Sequence, residues 1–237
     1  MASTKVQGFG PGEQMSYQVR FLGVPTGVAQ VTVGWATQRD GKRVWPLVCV
    51  GQTTSIASVF QVNDRFISYW DPTSQRPIGS EMHADENRRR WRERYRYDDA
   101  VLKAFATKQR EGNGPVEIEY DVMPQTYDLA SVGFHMRSAD FRIGATRDIP
   151  VFTGRSTYVM HAAVEARETI TTPLGTFDAW KVSFNGEFTG NVATQGNMFI
   201  YYTTDARHLP IRAEAIFKVG AVTIDAVTYA PGAEDPS

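Results

Sequence analysis

Through most of the chain apolar and polar residues alternate one by one. Met15, Tyr17, Val19 and Phe21 stand against Gln14, Ser16, Gln18 and Arg20, and Val31, Val33 and Trp35 against Gln30, Thr32 and Gly34. A period of two over such lengths predicts half-buried β-strands. Between these two runs, Gly23-Val24-Pro25-Thr26-Gly27 predicts a turn. Arg39-Asp40-Gly41-Lys42 predicts a tight hairpin, Asp-Gly supplying the positive φ that such turns require. Val44 to Val50 is largely apolar and reads as a strand covered on both faces. Asn63-Asp64 and Asp71-Pro72-Thr73-Ser74 bracket a strand from Arg65 to Tyr69, and Glu111-Gly112-Asn113-Gly114-Pro115 is the clearest central loop. From Phe141 onward the pattern is β again.

Two stretches depart from the alternation. Thr53 to Phe60 fits one face of a short helix through Ile56, Val59 and Phe60. Tyr127 to Met136 is the better helix candidate, with Thr126 or Asp128 as N-cap and Val132 four residues before Met136. Together these elements predict an all-β fold with one or two short helices. Its architecture is a strongly curved antiparallel sheet, barrel-like or half-barrel, because a sheet must close or cover its edges to avoid pairing with other chains. No repeat and no long linker divides the sequence. A single antiparallel β domain is expected over residues 12–230, with a flexible N-terminal tail at 1–11 and a C-terminal tail at 231–237.

Composition narrows the function classes. The chain has 237 residues, 42% hydrophobic and 12% aromatic, enough for a sizeable core. A formal net charge of −1 gives no global electrostatic case for nucleic acid or an anionic membrane. Cys49 is the single cysteine, so no intrachain disulfide forms, and within Pro46-Leu47-Val48-Cys49-Val50 it reads as a small buried hydrophobe. No apolar run approaches the ~20 residues of a transmembrane helix. Met1 to Lys5 lacks the apolar core of a signal peptide. Either the protein is cytoplasmic or an export signal has been replaced.

The most unusual stretch is Arg88-Arg89-Arg90-Trp91-Arg92-Glu93-Arg94-Tyr95-Arg96-Tyr97. As a strand it sets Arg88, Arg90, Arg92, Arg94 and Arg96 on one face and Arg89, Trp91, Glu93, Tyr95 and Tyr97 on the other. A guanidinium at every second residue suits bidentate grip on phosphate or carboxylate, and these five are the candidate anion- or ligand-binding residues. Interleaved aromatics would also suit stacking on bases, a weaker reading at this net charge. The plainest reading is a solvated outer face, paired across strands with carboxylates such as Glu117 and Glu119.

The four histidines form no convincing site. His83, Asp85 and Glu86 have ligand types but no partner motif, and His161 with Glu165 lacks a third ligand. His208 beside Asp205 and Arg207 reads as structural. His135, near a helix C-terminus, is favoured by the helix dipole. There is no Gly-x-Ser-x-Gly elbow, phosphate loop or dinucleotide fingerprint. No metal and no cofactor is expected, and the balance leans away from an enzyme.

Several ordered motifs carry a family resemblance. They are Gly12-Glu13-Gln14-Met15-Ser16-Tyr17-Gln18-Val19 with Leu22-Gly23-Val24-Pro25-Thr26-Gly27, then Val62-Asn63-Asp64, Ser68 and Asp71. Thr172-Pro173-Leu174-Gly175-Thr176-Phe177-Asp178-Ala179-Trp180-Lys181-Val182 follows, and Tyr201-Tyr202-Thr203-Thr204-Asp205-Ala206-Arg207-His208-Leu209-Pro210-Ile211 with Gly220 ends the series. From Gly12 to Tyr229 the chain resembles the bacterial domain-of-unknown-function 3108 family. The resemblance implies an exported, mostly β protein of the Gram-negative periplasm or cell envelope, with no activity or catalytic residues to carry over. The arginine row is not part of that pattern. Gly23, Gly27, Pro173, Gly175 and Pro210 read as turn formers, and Asp205 and Arg207 as a bonded corner.

The leading expectation is a non-enzymatic envelope protein whose concave, aromatic-rich sheet face takes a lipid or other apolar or amphipathic small molecule. The alternative is an interaction module that meets an envelope protein partner through a sheet edge or the arginine-rich strand. A hydrolase with an unassigned site comes third.

Overall fold

The computed structural model describes residues 8–54, 61–186, 198–217 and 220–233. Strands β1 (Gln14–Phe21) and β2 (Val24–Val33) form a hairpin closed by Leu22 and Gly23, at φ 51° and 79°. The turn is therefore two residues long, not the five from Gly23 to Gly27. Pro25 sits in β2 where the next strand has not yet begun to pair, an edge position that tolerates a missing N–H. Strands β3 (Thr37–Arg39) and β4 (Lys42–Thr53) turn through Asp40 and Gly41, both at positive φ, as Asp-Gly predicts.

A meander follows: β5 (Asn63–Asp71), β6 (Arg76–Glu86), β7 (Arg89–Asp98), β8 (Lys103–Arg110) and β9 (Val116–Asp121). After the two-residue β10 (Tyr127–Asp128) comes α1 (Ser131–Met136), the one helix among the described residues. The chain finishes with β11 (Thr146–Phe152), β12 (Thr157–Thr172), β13 (Gly175–Asn185), β14 (Met198–Thr203), β15 (Pro210–Phe217) and β16 (Gly220–Ala230).

All these strands but β3 follow one path, β10 through β16, then β1, β2 and β4 through β9, with β3 attached to β4. The β1–β16 pairing, Gln14 opposite Ala230 to Phe21 opposite Val222, joins the two halves of the chain. Every pairing is antiparallel except β10 with β11. The all-β, antiparallel expectation holds, and because the sheet is not closed among the described residues the barrel-like architecture is met only in part. Among the described residues β9 and β10 remain edges, although they are consecutive in sequence. Between them Pro124 offers no N–H and Gln125 takes φ 59°, which removes the chain from the extended region. The β9 edge carries Glu117, Glu119 and Asp121 on alternate positions, charges that discourage pairing with another chain.

The expected helix is shorter than its pattern. Tyr127 and Asp128 are extended, and helix begins at Ser131. Asp128 still serves its start: Oδ1 accepts from the backbone N–H of Ala130 (3.2 Å) and of Ser131 (2.8 Å). The other helical expectation, Thr53 to Phe60, lies mostly outside the described residues, Thr53 itself ending β4.

The helix fills the inside of the curve. Val132, Phe134 and Met136 pack with Val33, Trp45, Leu47 and Trp70 from one part of the sheet and with Ile149, Met160, Val182 and Tyr202 from another. Phe9, in the stretch read as a tail, joins this core. Its ring lies 4.7 Å from Phe134 and 5.8 Å from Trp70 in edge-on contacts, and the N–H of Ala233 donates to the Pro11 carbonyl (2.8 Å).

Arg137, the residue after α1, ties this core together. Only 2% exposed, it meets the Glu13 carboxylate with both terminal nitrogens, and donates to the carbonyls of Gly8 and, from Nε, of Arg207 (3.0 Å). The corner around Arg207 is bonded as its residue types suggest: Arg207 Nε donates to Asp205 Oδ2 (2.8 Å), and Thr203 Oγ1 to Asp205 Oδ1 (2.7 Å).

Candidate functional site

The interior is not filled to the same degree everywhere. On the inner face of β4 to β7, beyond the helix, a cleft of about 340 Å³ remains. Register explains its walls. Cys49 opposes Phe66, Phe66 opposes Met82 and Met82 opposes Glu93, so one inward row crosses four strands. Ser80 opposite Tyr95 forms the next row, and Trp91 and Tyr97 share their face by alternation along β7. Leu129 and Ala130 before α1, and Phe152 at the end of β11 with Thr153 to Arg155 after it, cover the other side.

The lining is mostly apolar and aromatic. Tyr95 and Phe152 are each 2% exposed and meet edge-on at 5.4 Å, with Tyr97 and Tyr120 also against the Phe152 ring. Tyr97 OH and Ser80 Oγ share a hydrogen bond of 2.7 Å. Burial, with the Asp128 charge nearby, pushes the Cys49 thiol up to about 12, so it lines the cleft as an un-ionised group. This matches the expectation of a hydrophobe-like cysteine, although its side chain is half-buried and not part of the filled core.

A polar knot bounds the apolar part. Lys108 Nζ donates to the Gly154 carbonyl (2.9 Å) and lies 3.4 Å from Glu93 Oε1. The Tyr95 hydroxyl is within reach of Glu93 Oε2 and of the same carbonyl (3.0 Å), and burial, then the hydrogen bond to Glu93 and its charge, raise its pKa strongly. Gly154 takes φ 87°, and a Cβ there would come within 2.8 Å of the Tyr95 hydroxyl, so the close approach requires glycine.

Next to the cleft, and sharing Trp91, Glu93 and Arg155 with it, is a wide groove of about 1060 Å³ lined by the β6–β7 turn with its flanking residues and by the end of β8 with the turn that follows. It holds Arg88, Arg90 and Arg92 of the five predicted site residues. Arg88 lies outside the strand: it takes φ 66° after Asn87 at φ 50°, in the turn between β6 and β7. Arg90, Arg92, Arg94 and Arg96 do project together from the outer face of β7. Their carboxylate partners come from the neighbouring strand and the strand's own end, not from Glu117 and Glu119, which lie two strands away on β9. Arg90 Nε donates to Asp85 (2.9 Å), Arg94 Nε to Glu81 (3.2 Å) and Arg96 Nη1 to Asp98 (3.2 Å).

Sequence reading passed over the inner cations. Arg89 shares the face of Trp91, and Arg110 on β8 stands directly opposite Trp91. The signal was present in the alternation Ala104, Ala106, Lys108, Arg110, where small residues give way to cations along one face.

The histidines stay apart from the cleft. His161 Nδ1 bonds Asp148 Oδ1 (2.6 Å) on the exposed face of β12, and β12 bulges between Val164 and Ala166, displacing Glu165 from its register. His208 Nδ1 meets the Arg137 carbonyl (2.9 Å), a structural contact. His135 stacks on Tyr127 at 4.3 Å, and burial, then the Arg147 charge, hold its imidazole down at about 4. The expected help from the helix dipole is overridden, because desolvation disfavours the cation more than the six-residue helix favours it. Among the described residues no three His, Cys, Asp or Glu side chains gather as metal ligands, and no helix is long and apolar enough to cross a membrane.

Comparison with known proteins agrees with the architecture. The chain is similar to a β-barrel-like protein of domain of unknown function DUF1849 from Brucella abortus, at 6% identity and a TM-score of 0.57, covering 92% of this chain and 97% of that one. Similarity also extends to a Bacteroides fragilis protein described as exported with a YmcC-like fold (10% identity, TM-score 0.38, 94% and 97% covered). A third is described as a lipoprotein from Parabacteroides distasonis (12% identity, TM-score 0.38, 97% and 100% covered). The chain finds no match among proteins of curated function. Over residues 16–227 the sequence matches the family described as Protein of unknown function (DUF3108), and the chain belongs to that family.

Proposed function

We propose that the protein is a non-enzymatic binding protein of the cell envelope, a single β domain over residues 12–230 that holds an apolar or amphipathic small molecule in the cleft beside β7. One observation carries the reading. Where α1 and Phe9 fill the inner face around Trp45 and Trp70, Phe66, Met82 and the neighbouring Trp91 line open space of about 340 Å³, within the size range of small-molecule sites. The envelope setting follows from what membership of the family resemblance implies for export.

The test is native mass spectrometry on protein purified without detergent, with solvent extraction of any adduct, on the parent and on Met82→Trp. Tryptophan at position 82 adds bulk inside the cleft while keeping an apolar side chain. A stoichiometric apolar adduct, or uptake of added decanoate or 1-decanol, is expected for the parent and not for the variant. Equal uptake by both proteins would place the ligand elsewhere and sink the reading.

A further inference from the structure

We propose that the ligand of this cleft is a single-chain amphipath with an anionic head, a carboxylate or a phosphate, and that Arg89, Arg110 and Arg155 on the inner side hold that head. The inference rests on the reading of the cleft as an amphipath site and adds the charge and number of chains.

The groove joined to the cleft brings seven Lys and Arg side chains together with three Glu, in a chain whose overall charge is −1. Two of the carboxylates are already engaged: Glu93 lies 3.4 Å from Lys108, and Glu111 lies 3.9 Å from Arg90. Arg89, Arg110 and Arg155 form no ion pair among the described residues, and all three are exposed. Their placement follows from register. Arg89 is two residues before Trp91 on the same face of β7, Arg110 is the cross-strand partner of Trp91, and Arg155 lines cleft and groove alike. An apolar chain lying against Trp91 thus points its end among three guanidinium groups, whose planar forks match carboxylate and phosphate oxygens.

The outward row is a poorer receptor. Arg90, Arg94 and Arg96 already donate to Asp85, Glu81 and Asp98, and they stand on the opposite face from Trp91. The volume of about 340 Å³ lies near the lower limit for ligand sites, which suits one short chain and not the two of a diacyl lipid.

The test compares decanoate, decyl phosphate, 1-decanol and inorganic phosphate by native mass spectrometry and calorimetry. The proteins are the parent, the inner variant R89Q/R110Q/R155Q and the outer control R94Q/R96Q, whose two residues line neither cleft nor groove. Decanoate and decyl phosphate are expected to bind the parent about tenfold more tightly than decanol, the scale of a few exposed charge contacts. The inner variant should lose that margin while keeping its affinity for decanol, and the outer control should retain it. Raising the salt to about 1 M should shrink it. Decanol binding as tightly as decanoate, or an outer control as impaired as the inner variant, would overturn the inference and leave the cleft reading standing. If none of the decyl compounds binds, both fall. Binding of inorganic phosphate as tight as that of decyl phosphate would identify a free-anion site instead, and would also overturn it.

Discussion

Replacing Glu13 by Gln removes one charge from a pair with almost no access to water. Arg137 is 2% exposed and Glu13 3%, and the guanidinium uses Nη1 and Nη2 on the carboxylate, Nη2 on the Gly8 carbonyl and Nε on that of Arg207. The two backbone carbonyls survive E13Q, but they are dipoles and cannot replace a full negative charge. The amide would also turn one N–H group toward the guanidinium. Removing one member of a buried pair costs about 3–5 kcal/mol. For a chain of this length about 2–4 °C accompanies each kcal/mol, so the melting midpoint should fall by roughly 6–20 °C. Thermal unfolding followed by near-ultraviolet circular dichroism reads this directly. The double variant E13Q/R137M should be less destabilised than the sum of its singles, by about 0.5–3 kcal/mol, because the second change removes the orphaned charge. A midpoint for E13Q within about 2 °C of the parent, or strict additivity in the cycle, would refute the view that this pair clamps the N-terminal segment, the helix end and the Arg207 corner together.

Two further outcomes follow from buried or crowded groups. Because His135 is held at about 4 in the folded protein, below its ordinary value near 6.5, the folded state binds fewer protons between those limits. Its contribution is fully present above about pH 6.5 and is lost as pH falls through about 4. His135→Phe keeps a ring on Tyr127, removes an Nδ1 that is buried without a hydrogen-bond partner, and should flatten the acid side of a urea-midpoint profile between about pH 7.5 and 4. Asp128, raised by burial, contributes the opposite slope in both proteins and cancels in the difference; an unchanged acid slope in H135F would sink the assignment. Gly27 and Gly23 separate two uses of glycine. A Cβ at Gly27 would come 2.6 Å from the Gln52 carbonyl oxygen, whereas Gly23 faces open space at φ 79°. Gly27→Ala should cost about 1–3 kcal/mol through displacement of β4, and Gly23→Ala about 1 kcal/mol through its backbone alone. Equal urea midpoints for the two variants would argue against the close β2–β4 approach.

Strand identity was legible because one face of the sheet is buried, which forces apolar and polar residues into alternation. β1 and the Asp40-Gly41 hairpin lie where their patterns place them. What alternation does not encode is which turn residues leave the extended region. Gly27 reads as a turn former, yet it lies within β2 as a close-approach glycine. Closure was equally hidden, since it depends on Pro124 and Gln125 between two strands and not on the strands themselves. The helix was overextended at its start because Tyr127 is apolar in pattern but pairs with Val151 as a strand. For the site, the pattern gave both faces of β7 from Arg89 onward, missing that Arg88 lies in the turn before it, and the conspicuous arginine row drew attention to the outer face. Which face encloses space is a matter of curvature and filling, and core and pocket positions carry the same residue types.

The inner face of β7 supports the polarity proposed for a ligand of the cleft. Successive inward residues run from Tyr97 and the buried Tyr95, through Glu93 bound to Lys108, to the half-buried Trp91 and the exposed Arg89. Each step advances about 6.6 Å, so roughly 20 Å separates a closed aromatic end at Tyr95 from a cationic, solvated end at Arg89. A ligand apolar throughout would leave the guanidinium groups without partners and its far end in water. A small anion alone would leave Phe66, Met82 and Trp91 facing empty or poorly held water. Under the proposed reading, a molecule with a short apolar body and an oxyanion head satisfies both ends of the strand at once. The wild-type order Tyr95, Glu93, Trp91, Arg89 is therefore the feature whose disruption should separate chain binding from head binding: M82W acts on the first, and R89Q/R110Q/R155Q on the second.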